Sequence, residues 1–412
     1  IYGVVLPILM DEWQLSPYVA GLLGSSALFG MMFGAMGFGM LSDRVGRKKV
    51  IIGCVVLFSV TTVVNGLATT PWQFGVLRFI AGLGIGGVMP NVVSLMSEYS
   101  PARKRSTLVA LMFSGYAVGG MISAGLGIWI VPNFGWQIMF YLAGVPMLLL
   151  PLMLKYLPES VAFLMAQRRE NEARYVLQQI APLMNIRKDD VLEVPPTNDS
   201  KAPVLELFRN GRAMSTVMFW IAFFCCLLMV YALGSWLPKL MSNAGYALSS
   251  SLMFLMVLNV GAIVGAVGGG WLADRLSLRS VLVTFFIMAS ASLVMLGYDS
   301  PMWFLYTLVG IAGATTIGSQ ILLYAYVAQY YPTAIRSTGL GWASGIGRNG
   351  AIVGPLLGGA LLATAMPHHM NFLALAVPGA IATVAIALVG RRGLDSKSAP
   401  VSKLPGMDVS SN

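Results

Sequence analysis

Within the stretch GIGRNG, Arg348 lies about twelve residues into a run that is otherwise uncharged. A guanidinium in such a place can fork onto a carboxylate that is cargo, or pair with an acid belonging to the protein. Both readings stand on the residues alone. Arg78 lies about one turn inside the end of another apolar run, close enough to its boundary to snorkel. Glu98 closes that same run and can either bind Arg47 or carry a proton; the ion pair with Arg47 is the expectation. The remaining concentration of charge is DRVGRKK, five charges in the seven residues Asp43 to Lys49.

Other chemistries find no support. Cys54, Cys225 and Cys226 all fall inside apolar runs and have no metal-ligand spacing. His368 and His369 read as polar surface in one loop. Gly82-Leu-Gly84-Ile-Gly86-Gly87 satisfies the G-x-G-x-x-G dinucleotide pattern, but it follows no strand, and close helix packing through small residues explains it better. No nucleophile and base stand at workable spacing, so neither an enzyme nor a cofactor or metal is expected.

The elements that must position these charges follow from composition. The 412 residues are 57% hydrophobic and only 10% charged, outside the range of a soluble domain. A helix needs about 20 apolar residues to cross the hydrocarbon core. Eleven such runs are expected at about 18–40, 50–69, 74–97, 106–130, 137–157, 214–238, 249–272, 280–297, 302–327, 336–364 and 372–390. Ile1 to Met10 is too short to span and reads as the second half of a twelfth helix. By alternate loops, 23 of the 26 basic residues fall on one face, which the positive-inside rule assigns to the cytoplasm together with both termini. The net charge of +10 is therefore topology, and nucleic acid is not an expected partner.

The chain also repeats itself. Shifted by 231 residues, GMLSDRVGRKK (Gly39 to Lys49) falls on GWLADRLSLRS (Gly270 to Ser280), and SEYSPARKRST (Ser97 to Thr107) on AQYYPTAIRST (Ala328 to Thr338). Asp43 then corresponds to Asp274, Arg105 to Arg336 and Glu98 to the neutral Gln329. Two six-helix halves are expected: 1–157 and 214–390, joined by a charged linker at 158–213 with an amphipathic helix over 161–181 and followed by a tail at 391–412.

Gly39, Asp43, Arg44, Gly46, Arg47, Lys48 and Lys49 match in full the G-x-x-x-D-R-x-G-R-(R/K)-(R/K) loop motif of the major facilitator superfamily, which the chain resembles. IYGVVLPILM, LRFIAGLGIGGVMPN, SEYSPARKRST and GIGRNGAIVG are similar to the aromatic acid:proton symporters, chiefly their benzoate-transporter branch. The resemblance implies an all-α polytopic fold with two pseudo-symmetric halves in a bacterial inner membrane. It implies proton-coupled uptake of a benzoate or hydroxybenzoate by a monomer. Another organic anion, such as a dicarboxylate or an acidic sugar, is the alternative, and a membrane sensor for the same ligand is a further one. The family's acidic motif on the first helix would lie before Ile1. The antiporter glycine-proline motif is absent from GGMISAGLG, which favours symport.

With a benzoate-sized cargo, Arg348 supplies the charge for the carboxylate, and Asn349 stands beside it. Tyr116, Phe219, Phe223, Trp236 and Tyr324 are the aromatic candidates for the ring; Asn91, Asn259, Ser319 and Gln320 are the polar ones. Arg78, Glu98 and Arg47 are candidates for coupling. Asp43 is expected to sit against the positive helix start near Arg336 and Ser337 of the other half, and Asp274 likewise against Arg105, latching the cytoplasmic side when it closes.

Overall fold

The computed structural model describes residues 1–101, 105–180, 204–364 and 366–390. The expected tail at 391–412 and the middle of the linker, 181–203, lie outside the described residues. Every long element is a helix. Among the described residues eleven helical segments, one of them interrupted, are long and apolar enough to cross a membrane, the number expected.

In the first half, the short α1 (Tyr2–Glu12) is followed by α2 (Pro17–Val45), α3 (Arg47–Asn65), α4 (Pro71–Tyr99) and α5 (Arg105–Phe134). Starts are set by local chemistry. Ser16 and Thr70 accept hydrogen bonds from the backbone N–H of Val19 and Gln73, with Pro17 and Pro71 at the first helical position, where a missing N–H costs nothing. The run expected as one span at 137–157 is broken into α6 (Gln137–Leu142), a 3₁₀ turn (Val145–Leu149) and α7 (Leu150–Tyr156). Gly144, Pro146 and Pro151 account for the break, since each proline removes a helical donor.

The linker helix expected over 161–181 is likewise two helices, α8 (Val161–Ala166) and α9 (Glu170–Ile180). Arg168 between them turns left-handed at φ +57°. The second half then runs α10 (Ala213–Asn243), α11 (Leu248–Arg275), α12 (Leu278–Leu296), α13 (Met302–Tyr330), α14 (Thr333–Ala363) and α15 (His368–Leu388).

The repeat is visible in the element boundaries. Shifting α3 by 231 residues gives both ends of α12, and α4 gives both ends of α13. Packing follows the same register. A Cβ on Gly30 of α2 would strike the Phe79 carbonyl of α4, and one on Gly261 of α11 would strike Gly310 of α13. Gly82 and Gly86, part of the false dinucleotide pattern, let α4 approach the backbone of α2 at Ala27 and Met31.

Among the described residues the two halves approach each other from one end to about mid-membrane. Opposite the basic loops, Gly21 of α2 lies so close to α14 that a Cβ would stand 2.8 Å from the Pro355 carbonyl oxygen. Gly359 of α14 similarly abuts the Pro17 carbonyl, and Gly3 of α1 abuts Gly234 of α10. Ser25 Oγ donates to the Ile352 carbonyl at 2.6 Å across this seam, and Lys239 Nζ lies 3.3 Å from Asp11 Oδ1 at its rim. At the basic end the halves splay apart around a cavity.

Candidate functional site

The cavity has a volume of about 2160 Å³. That is more than twice what usually encloses a small ligand, as expected of a vestibule still open at one end. Arg348 lines it, midway along α14. Among the described residues Arg348 makes no ion pair and no hydrogen bond. Its charge acts on the hydroxyls of Tyr231 on α10 and Tyr324 on α13, and both tyrosines line the cavity. The Tyr231 hydroxyl stands near that of Tyr116, which reaches in from α5 of the other half. Gln320, one turn before Tyr324 on α13, completes the polar group. A cation with no counter-charge among the described residues, with hydroxyls beside it in an open cavity, has the chemistry to pair with an anion.

Of the candidate binding residues, Arg348, Tyr116, Gln320 and Tyr324 come together in this cavity. The others do not line it in this conformation. Phe219 is fully buried and edge-packed on Tyr326 and Tyr330. Phe223 packs edge-on beneath Tyr324 at 5.0 Å, so it supports a cavity residue rather than facing the cavity. Trp236 is fully buried, and its Nε1–H donates to the Pro355 carbonyl at 2.8 Å behind the sealed seam. Asn91 and Asn259 turn their amides onto the Gly87 and Leu255 carbonyls of their own helices. Asn259 also faces Gly120 across the halves. Ser319 is fully buried, and Asn349 is exposed away from the cavity with its amide toward Gly345. Buried aromatic packing and helix-internal amide bonds look like ligand contacts in a sequence because both use the same residue types. Tyr231 was not a candidate; in LMVYALG nothing but its place facing Arg348 sets it apart.

Arg78 is held by the first half. Its Nε donates to the Leu23 carbonyl at 3.0 Å, and its guanidinium lies over the Tyr2 ring, 4.4 Å from the centroid. Glu98 does pair with Arg47, at 3.0 Å, and also receives hydrogen bonds from Ser160 Oγ and the backbone N–H of Ala162, both at 2.8 Å. Glu159 reaches back to accept from the Lys48 N–H at 3.1 Å, passing close to Gly46, whose φ of +105° and missing side chain permit the approach. The motif loop is thus clamped to the start of the linker, within the first half.

The expected latch is unmade here. Asp43 is exposed and makes no ion pair among the described residues, while Arg336 keeps a buried Nε with no hydrogen-bond partner. The reason is geometric, since the two belong to halves that stand apart at this end. The side chains of Asp274, Arg105 and Ser337 lie outside the described residues.

Comparison with known proteins agrees with this architecture. The chain matches the Major Facilitator Superfamily over residues 1–276 and 259–406. It is 48% identical to a benzoate transport protein of Acinetobacter baylyi, across 95% of this chain and 86% of that one. It is 37% identical to a gentisate transporter of Corynebacterium glutamicum (95% and 83%) and 36% to a 4-hydroxybenzoate transporter of Pseudomonas putida (94% and 88%). Among solved structures, the inward-open form of the xylose transporter of E. coli superimposes with a TM-score of 0.71 at 18% identity, covering 96% of this chain and 93% of that one.

Proposed function

Since the chain belongs to the Major Facilitator Superfamily, and within it to the aromatic acid transporters, we propose that it carries a benzoate or hydroxybenzoate into the cell together with at least one proton. The observation that carries this reading is Arg348, a mid-membrane cation with no counter-charge among the described residues, facing an open cavity. Leaving such a charge unpaired is costly, and a bound carboxylate would relieve the cost. Tyr231 and Tyr324 supply hydroxyl donors beside it, and the aromatic and thioether side chains around the cavity suit a ring. A dicarboxylate would call for a second cation, and among the cavity-lining residues only Arg279, at the rim, is another.

The basic face is assigned to the cytoplasm by the positive-inside rule, in a bacterial inner membrane, so the conformation is inward-open. Alternating access would close this end over the cargo and part the glycine seam opposite. One anion with one proton is electroneutral and driven by ΔpH at about 1.4 kcal/mol per unit. A second proton would add about 2.3 kcal/mol per 100 mV.

Uptake of labelled benzoate and hydroxybenzoates into proteoliposomes tests the reading. An inside-alkaline gradient should accelerate uptake and a protonophore should collapse it; dependence on sodium instead would end the proton assignment. Arg348→Lys, which keeps the charge but loses the planar fork, should weaken binding by about 1–3 kcal/mol. Arg348→Ala should abolish binding of the acid while leaving the weak binding of its neutral amide unchanged. If acid and amide keep their wild-type ratio in the alanine variant, Arg348 does not read the carboxylate.

A further inference from the structure

The internal repeat allows the two walls of the cavity to be compared position by position. Met89 and Val93 of α4 correspond, 231 residues on, to Gln320 and Tyr324 of α13, and all four line the cavity. The same structural place is therefore apolar in one half and polar in the other. The pattern extends along α2, which presents Leu28, Met31, Met32, Ala35 and Met36 to the cavity and no polar side chain. Arg348, Tyr231, Gln320, Gln329 and Ser344 all stand on the second half, and the first half adds one polar side chain to the lining, Tyr116 of α5, outside the wall of α2 and α4.

From this division we infer that the halves share out the substrate: the second half holds the carboxylate, and the methionine wall of α2 and α4 holds the far side of the ring and selects rings whose meta and para positions are apolar. The inference rests on the aromatic-carboxylate reading above and sharpens it to a substrate class. A ring anchored by its carboxylate at Arg348 turns its opposite edge toward the facing wall. When the cavity closes, a hydroxyl on that edge is stripped of water against thioethers and alkyl groups that offer it no proper partner. Hydrogen, methyl or halogen at the same position loses nothing, and methionine, unbranched and polarizable, adapts to each and makes favourable sulfur contacts with the ring. The preferred cargo is then benzoate and its alkyl- or halogen-substituted relatives, with polyhydroxylated benzoates disfavoured.

Competition against labelled benzoate uptake provides the test. In wild type, 4-methylbenzoate and 4-chlorobenzoate should compete within a few-fold of benzoate, while 3,4,5-trihydroxybenzoate should compete at least tenfold more weakly. Met89→Gln, which copies the residue of the matching position, should narrow that gap by threefold or more; Met89→Leu, still apolar, should preserve it. Should Met89→Gln fail to reach the membrane, Met32→Gln makes the same change on α2 and carries the same expectation. Equal competition by the trihydroxy acid in wild type, or a gap unmoved by glutamine in a variant that still transports benzoate, overturns the inference. Failure of every aromatic acid to compete or be taken up would instead remove the functional reading beneath it.

Discussion

At the sealed end of the molecule the halves touch backbone to backbone through Gly3, Gly21, Gly359 and their partners, whereas at the basic end long charged side chains, Asp43 and Arg336, stand apart with no bond between them. One end is held by shape, and the other, we propose, is held by charge when it closes. Shape is short-ranged and intolerant of an added atom, while charge is longer-ranged, tunable and weak in water. The two ends should therefore answer differently to substitution.

The largest effect belongs to the shape-held end. Gly359→Ala puts a methyl into the Pro17 carbonyl, a backbone atom that cannot swing aside. Overpacking of this kind costs about 1–3 kcal/mol, so the seal should loosen and net uptake should fall about tenfold or more. Gly53→Ala, at a position with open space around the Cβ, is the control and should transport normally. Thiol reagents added from the outer side should reach the cavity reporter Ser344→Cys in the first variant and not in the second.

Next comes the charge-held end. Asp43→Asn keeps the shape but removes the anion that would face the start of α14 on closure. A loss of about 1 kcal/mol there should raise the open population roughly fivefold and slow net uptake. Labelling of Ser344→Cys from the cytoplasmic side should rise correspondingly, and an unchanged rate would mean that Asp43 takes no part in closure.

The smallest effect is expected at the rim of the sealed end. The Lys239 to Asp11 ion pair crosses between the halves, but the Asp11 side chain is 78% exposed. Lys239→Gln should destabilise the seal by no more than about 0.2–1 kcal/mol, shifting the population opposite to Asp43→Asn. Raising the salt concentration should erase the difference from wild type, because screening removes an exposed pair first.

The two ends also differed in how legible they were. Arg348 and DRVGRKK announce themselves because charge inside or beside the membrane is costly and so stands out from an apolar background. The 231-residue repeat is legible because duplicated helices keep their boundaries, as α3 with α12 and α4 with α13 demonstrate. The seam is hidden in a chain holding 46 glycines, where composition cannot tell which ones face the other half. Tyr231 is hidden for the same reason among 15 tyrosines, and Phe219 and Trp236 mislead because packing and ligand binding draw on the same aromatic side chains. Nor does a sequence state which end is open, since both states are built from the same chain.

The glycine and proline seam has a consequence for the kinetics of the empty carrier. Lysine, glutamate or methionine at an interface loses side-chain freedom each time the interface forms and regains it each time it parts, an entropy swing of up to about 2 kcal/mol per residue. Gly3, Gly21, Gly234, Gly359, Pro17 and Pro355 have no rotamers to lose. Along these positions each closing therefore freezes almost no side-chain motion, and each opening releases almost none. The return stroke without cargo is then opposed mainly by the breaking of van der Waals contacts and of the Ser25 hydrogen bond across the seam, an enthalpic cost, so its rate should rise steeply with temperature.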